Sequence, residues 1–323
     1  MAYPKKGLIL TIIAIIAIGL TYRLYFATKK SSSARYTIGI LQTASHPALD
    51  AARDGFIGQL KLLLKNDVEF IVKNAEGNIS HAHTIAQRFH ADKAMSAMYA
   101  IATPAAQALA TVEKEKPIFI AAVTDPQALG FIHPSTNVTG ASDMINIEKE
   151  IEMLVQLLPS VKTVALLYSS AEINSVVAVK KMKLELEKKG ITPIELGISN
   201  EADIPTAVIT ACRKADALLA PTDNAIASAM PLVASLALNH KKPLLVSHNP
   251  AVKEGALAAR GVDYNESGKQ VAKIAYTVLV GGKKPYELPI EDAETDKVFV
   301  NKKTLDALGL TIPDVLKDYV VFV

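Results

Sequence analysis

The chain has 323 residues, half of them apolar, which excludes global disorder and allows two modest domains, each with its own core. Six of its 35 bases and none of its 32 acids fall in the first 35 residues, so the formal charge of +3 hides a body of net −3 with no electrostatic case for nucleic acid. The single cysteine, Cys212, excludes an intrachain disulfide and a cysteine zinc site, and in "TAVITACRKAD" it reads as a small buried hydrophobe on a helix.

The first stretch, "MAYPKKGLILTIIAIIAIGLTYRLYFATKKSSSAR", differs from everything after it. Lys5 and Lys6 precede an uncharged apolar run from Gly7 to Tyr22, and counting on to Ala27 gives about the 20 residues a spanning helix needs. Neither a small-x-small cleavage site nor a lipid-accepting cysteine follows. Residues 1–35 therefore read as an uncleaved signal anchor and tether, with a cleaved signal peptide and a buried core helix as alternatives.

From Tyr36 onward, apolar runs alternate with amphipathic ones. "YTIGILQ", "VEFIVKNA", "MSAMYAIA" and "KPIFIAAV" are predicted strands, with helices over "ALDAARDGFIGQLKLLL", "SHAHTIAQRFHA" and "PAAQALATVEK" between or after them. "STNVTGASDMIN" is rich in turn formers and marks a break near Asn137–Asn146. The pattern resumes with strands at "KTVALLYS", "ITPIELGI", "ADALLAP", "KPLLVSH" and "DKVFVN". Helices are predicted over "INIEKEIEMLVQLLP", "NSVVAVKKMKLELEKKG", "IPTAVITACRKA", "AIASAMPLVASLALNH" and "ESGKQVAKIAYTVLVGG". Nearly all-apolar strands, each followed by a helix, imply parallel sheets covered on both faces. About nine strands would strain one sheet, so the expected fold is α/β with two doubly wound lobes.

Open parallel sheets bind ligands beyond the carboxyl ends of their strands. In the first half those positions hold Gln42, Thr43 and His46; Thr103 and Pro104, read as a capping hydroxyl before a first-turn proline; and Thr124 and Asp125. In the second half they hold Ser170, Asn174 and Ser175; Thr222, Asp223 and Asn224; and His248 and Asn249. Each set alone is ordinary helix capping. Together they form two facing polar mouths, where hydroxyls and helix N-termini suit a carboxylate and Asp125 or Asp223 suits an ammonium. The histidines of "HAHTIAQRFH" (His81, His83, His90) do not converge on one helix face and read as solvated. No nucleophile elbow, Walker loop or glycine-rich dinucleotide turn is present, so neither an enzyme nor a cofactor is expected.

The blocks "HPALDAARDGF", "NAEGNISHAHTIAQRF", "AIATPAAQA", "AVTDPQALG", "NVTGASDM", "PTDNAIASAM" and "GALAARGVDYNESGKQ", in this order, resemble the ABC transporter substrate-binding family that includes tryptophan/tyrosine-type binding proteins. The resemblance implies a type I periplasmic-binding fold whose hinged lobes close on a small solute. The lobes would be 36–142, completed near 247–280, and 143–246, completed near 281–323. It implies a monomeric extracytoplasmic receptor that hands an amino acid-like solute, aromatic in some members, to a permease with a cytoplasmic ATPase. The motif positions carry ligand contact to Thr103, Thr124, Asp125, Asn174, Ser175, Thr222, Asp223 and Asn224, and to Asp263 in a late crossover. The chain departs from the family in lacking a lipobox cysteine, which leaves attachment to the anchor, and in Ser169–Ser170 where Asn-Pro is common. The competing reading is a membrane-anchored sensor that acts through a signalling partner.

Overall fold

The computed structural model describes residues 35–292 and 297–323, so the expected anchor lies almost entirely outside the described residues. Among the described residues, no helix is long and apolar enough to cross a membrane.

Two sheets organise the body. The first contains the parallel strands β1 (Tyr36–Gln42), β2 (Val68–Asn74), β3 (Ala97–Ile101), β4 (Ile118–Val123) and β5 (Val138–Ser142). The second contains β6 (Thr163–Ser169), β7 (Thr192–Ile198), β8 (Ala217–Ala220), β9 (Leu244–Val246) and β10 (Ala258–Arg260). β11 (Glu291–Asp292) joins the edge of the first sheet beside β5. β12 (Val298–Val300), antiparallel to β10, and β13 (Val320–Phe322) extend the second. The orders are β11-β5-β4-β3-β1-β2 and β13-β12-β10-β9-β8-β6-β7. The central strands are buried at every position because helices cover both faces, so they carry no polar alternation.

The first sheet is covered by α1 (Pro47–Leu63) on one face and by α2 (Ile79–Ala91) and α3 (Thr103–Val112) on the other. The second is flanked by α4 (Ile147–Leu157) and α5 (Ile173–Lys188) on one face, and by α6 (Ile204–Lys214), α7 (Asn224–Ser228) and α8 (Met230–Asn239) on the other. The sequence reading joined α7 and α8 into one helix. Pro231 separates them, because its ring and missing N–H suit a first turn and not a helix interior. α5 is followed by Lys189 and then by Gly190 at φ 74°, the left-handed terminating position that glycine tolerates best.

α9 (Pro250–Lys253) leads to β10, and α10 (Tyr264–Leu279) then crosses back to pack on α1. The segment 247–280 is therefore divided. Residues up to Arg260 stay with the second sheet, and only the helix after the crossover completes the first. Likewise Glu291–Asp292 pair with β5, while the strands after them belong to the second sheet. The chain thus passes between the lobes after β5, after β10 and between β11 and β12. At the α1–α10 crossing the backbones touch. A Cβ on Gly268 would lie 2.1 Å from the Ala52 carbonyl oxygen, and one on Gly55 would lie 2.2 Å from that of Asn265. Beneath them Phe56 stacks on Tyr99, with ring centroids 4.0 Å apart.

Buried polar groups in the second lobe fix its joints. Asn301 accepts from the Thr304 N–H at 3.0 Å, capping α11 (Lys302–Ala307), and donates to the Val252 carbonyl at 2.8 Å. Asn301→Ala leaves both partners without their bond and is expected to cost about 1–2 kcal/mol in thermal unfolding. An unchanged melting temperature would refute the joint. Glu150, on α4, is fully buried: Oε1 accepts from Ser247 Oγ at 2.8 Å, while Oε2 has no hydrogen-bond partner. Burial pushes its carboxyl up to about 8, against the bond from Ser247 and the field of Arg260.

Candidate functional site

The strand ends of the two sheets face one another and are tied together by polar contacts. His46 Nε2 lies 3.3 Å from Asn224 Oδ1, and the hydroxyls of Thr124 and Thr222 lie 3.0 Å apart. At the rim, Lys181 Nζ reaches Asp125 Oδ2 at 3.3 Å. Beside these ties lies a half-open cavity with about 310 Å³ of free space, its mouth included. Its polar lining is His46, Thr124, Asp143, Asn174, Thr222, Asp223, Asn224, His248 and Tyr264. Ala48, Leu49, Ala122 and Ala227 supply the apolar part.

The second-lobe wall is built on the start of α7. Asp223 caps it, accepting from the Ile226 N–H at 2.9 Å, and its other oxygen accepts from the Ser169 N–H at 2.6 Å. Glu172 stands behind, accepting from the N–H groups of Asn224 and Ala225 at 3.1 Å. It also accepts from Asn224 Nδ2 at 2.5 Å, which fixes the orientation of the amide that meets His46. Asn174 donates to the Thr222 carbonyl at 2.7 Å and leaves its Oδ1 buried without a partner. The first-lobe wall carries backbone strain: Ala102 and Ala122, at the cleft ends of β3 and β4, have φ of 75° and 56°. Such values are rare for a residue with a Cβ and are held only where the surroundings impose them. At Ala122 the imposition is a register shift between Ile120 and Val123.

The floor comes from the crossovers. Asp143 follows β5 and is fully buried; its carboxylate accepts from Thr124 Oγ1 at 3.0 Å and from the Tyr264 hydroxyl at 2.9 Å. Tyr264 opens α10, beyond the second crossover, so this bond links two of the passages between lobes. Burial raises the carboxyls of Asp143, Asp223 and Glu172, and the last is raised further by the facing Asp223. The same burial lowers His46, and takes His248 down to about 3 with help from His46. Both imidazoles are therefore neutral at neutral pH, their rings 6.3 Å apart across the cleft. Nδ1 of His248 is buried and has no hydrogen-bond partner. No lysine or arginine is among the described residues that line this cavity.

Of the positions expected at the site, His46, Thr124, Asn174, Thr222, Asp223 and Asn224 are brought together here. The rest lie elsewhere. Gln42 clamps the turn into α1, donating to Ala44 O and Asp50 and accepting from Arg53. Ser170 turns outward to Ile198 O at 2.9 Å. Ser175 backs the wall through Thr222 O at 3.3 Å. Thr103 is the first residue of α3 and not its cap, because Ala102 holds the cap position; its buried hydroxyl has no partner. Asp125 closes a turn onto the Ala128 N–H. Asp263 is exposed and caps α10 through Asn265 N and Glu266 N. His248, expected at a strand end, also lines the cavity, whereas Asp143 and Tyr264 were absent from the expected set. Among the described residues no group of three His, Cys, Asp or Glu converges as a metal site; His81 and His83 are exposed, and His90 pairs with Glu113 at 3.0 Å.

Two parallel-sheet lobes, three passages between them and an interlobe cavity at the strand ends define a type I periplasmic-binding-protein-like fold. The family described as ABC transporter substrate binding protein matches residues 37–321, and the chain belongs to it. A tyrosine-binding protein of Clostridioides difficile (strain R20291) is 34% identical over 289 residues, covering 87% of this chain and 83% of that protein. An ABC domain from Streptococcus pneumonia in complex with L-Trp is 34% identical with a TM-score of 0.84, covering 88% of this chain and 99% of that one. The ligand-free, open structure of a Clostridium difficile substrate binding protein with adhesive properties is 33% identical over 89% of this chain and 99% of that one, with a TM-score of 0.66.

Proposed function

We propose that this chain is the extracytoplasmic solute receptor of an ABC importer and that its solute is an α-amino acid with an aromatic side chain. The observation that carries this reading is an interlobe cavity lined by buried acids and neutral imidazoles, with no basic side chain. Such a lining suits a ligand that brings its own positive charge. The imidazole of His248, whose Nδ1 has no partner, and the second N–H of the Asn224 amide remain to meet a carboxylate, and the apolar wall to meet a side chain. The aromatic preference is supported by the relatives that bind tyrosine and L-Trp. Lobe closure then follows from the solute's greater affinity for the closed form, which it touches on both sides. The apolar run after Lys5 and Lys6 would hold a monomeric body at the membrane beside its permease and ATPase.

The test is a thermal-shift panel of the twenty amino acids, nucleosides and sugars on the chain beginning at Ser31. A ligand at a hundred times its dissociation constant stabilises by about 2.7 kcal/mol, a shift of several degrees or less in a body of this size. Tyrosine, tryptophan or phenylalanine is expected to raise the melting temperature. A sugar or nucleoside response with none to these three would sink the reading.

A further inference from the structure

We infer that Asp143 is the counter-ion for the solute's ammonium group. The assignment rests on the amino acid reading above and selects one acid from those around the cavity. Asp125 is at the rim, already paired with Lys181. Glu172 and Asp223 are saturated by donors from the start of α7 and its neighbours: the first accepts from Asn224 N, Ala225 N and Asn224 Nδ2, the second from Ile226 N and Ala225 N of the helix, from Ser169 N at the end of β6 and from the Ser175 hydroxyl. Their negative charge is spread into the backbone dipoles that they cap.

Asp143 differs in its donors. The side chains that reach it are two uncharged hydroxyls, one on each oxygen, from Thr124 and Tyr264. Its own backbone N–H is a third donor, so of the about four lone-pair sites of a carboxylate one stays open to a further donor. The residue is 3% exposed and lines the cavity. A buried carboxylate without a cation is costly, and burial already biases this one towards its neutral form. A ligand ammonium provides both the missing charge and the remaining donor.

Its position adds a second consequence. Asp143 lies on the first crossover, Tyr264 just beyond the second, and Thr124 touches Thr222 of the opposite lobe. The ion pair therefore forms where the lobes pivot, and the same hydroxyls that orient the carboxylate connect it to the contact that closes the cleft.

The test is calorimetric titration of the full chain in detergent with L-tyrosine and L-tryptophan and with their des-amino analogues, 3-(4-hydroxyphenyl)propanoate and 3-(indol-3-yl)propanoate. Wild type is expected to prefer each amino acid over its analogue by at least about a hundredfold, as for a buried charge pair. Asp143→Asn should remove most of that preference while changing analogue affinity less than about threefold. Asp223→Asn should weaken both ligand classes alike, as a lost helix cap would. Equal losses for both classes in Asp143→Asn overturn the assignment, as does a selective loss of amino acid binding in Asp223→Asn, which is decisive even if Asp143→Asn does not fold. Wild type that binds neither amino acid overturns the functional reading itself, and the counter-ion with it.

Discussion

Gly268→Ala is expected to destabilise the protein by about 3 kcal/mol or more, although the same change within a free helix is stabilising by about 1 kcal/mol. Alanine is the better helix former, so local propensity predicts a gain. The new methyl, however, would stand 2.1 Å from the Ala52 carbonyl and 2.9 Å from the Phe56 nitrogen, both on the facing backbone. Backbone atoms of a helix cannot swing aside as a side-chain tip can, so α1 and α10 would have to separate. Their apolar faces, with Phe56, Leu60, Val271 and Ala275, would lose contact together. Gly58, on the exposed side of α1 with nothing within 4 Å of its Cβ direction, provides the internal contrast: Gly58→Ala should stabilise by about 0.5–1 kcal/mol. Denaturant unfolding of the two variants measures both signs. Gly268→Ala with wild-type stability would mean that the helices do not meet at this point.

Glu150→Gln is expected to stabilise the protein at pH 8 and to leave it nearly unchanged at pH 5. In the folded chain this carboxyl holds its proton until about pH 8, against about 4.5 when exposed to water. Below the lower value both states are protonated and the group contributes no pH dependence. Between the two values the unfolded chain has lost a proton that the folded chain keeps, so wild-type stability falls as pH rises. Glutamine fixes the neutral form, keeps an acceptor for Ser247, and removes the fall. The difference between variant and wild type should grow by on the order of 2–4 kcal/mol from pH 5 to pH 8. The other buried acids are present in both proteins and cancel in the comparison. A difference that is the same at both pH values would show that Glu150 is ionised in the folded state.

Residue chemistry explains which parts of this architecture were readable beforehand. β1, β3, β4, β6 and β8 are apolar runs between helical stretches, so their burial is written in their own residues. β5, "VTGAS", was read as a turn. It is a strand because β4 on one side and β11 on the other supply its partners, and Gly140 permits a backbone approach of 2.1 Å between its Cβ direction and Ile120 O. β10 and β13, of three residues each, are likewise made by their neighbours. At the site, the rule of strand carboxyl ends located the mouth but not the direction of each side chain. Ser169 and Ser170 are adjacent, yet one lies under Asp223 and the other faces away. Asp143 and Tyr264 lie on crossovers, where no local periodicity marks which residue turns inward.

The return of α10 to α1 also sets an order of events in time. The first sheet emerges from the ribosome early, but the outer side of α1, at Ala52 and Gly55, has no cover until residues 264–279 have been made. At roughly 5–20 residues per second, the interval of some 200 residues lasts about 10–40 s. During it, the larger apolar face of the nascent N-terminal half is exposed while a second sheet of similar character is being synthesised. Neither lobe is encoded by a continuous stretch of chain. The halves cannot be finished one after the other, and a chain released before residue 264 would lack the helix that completes its own first lobe.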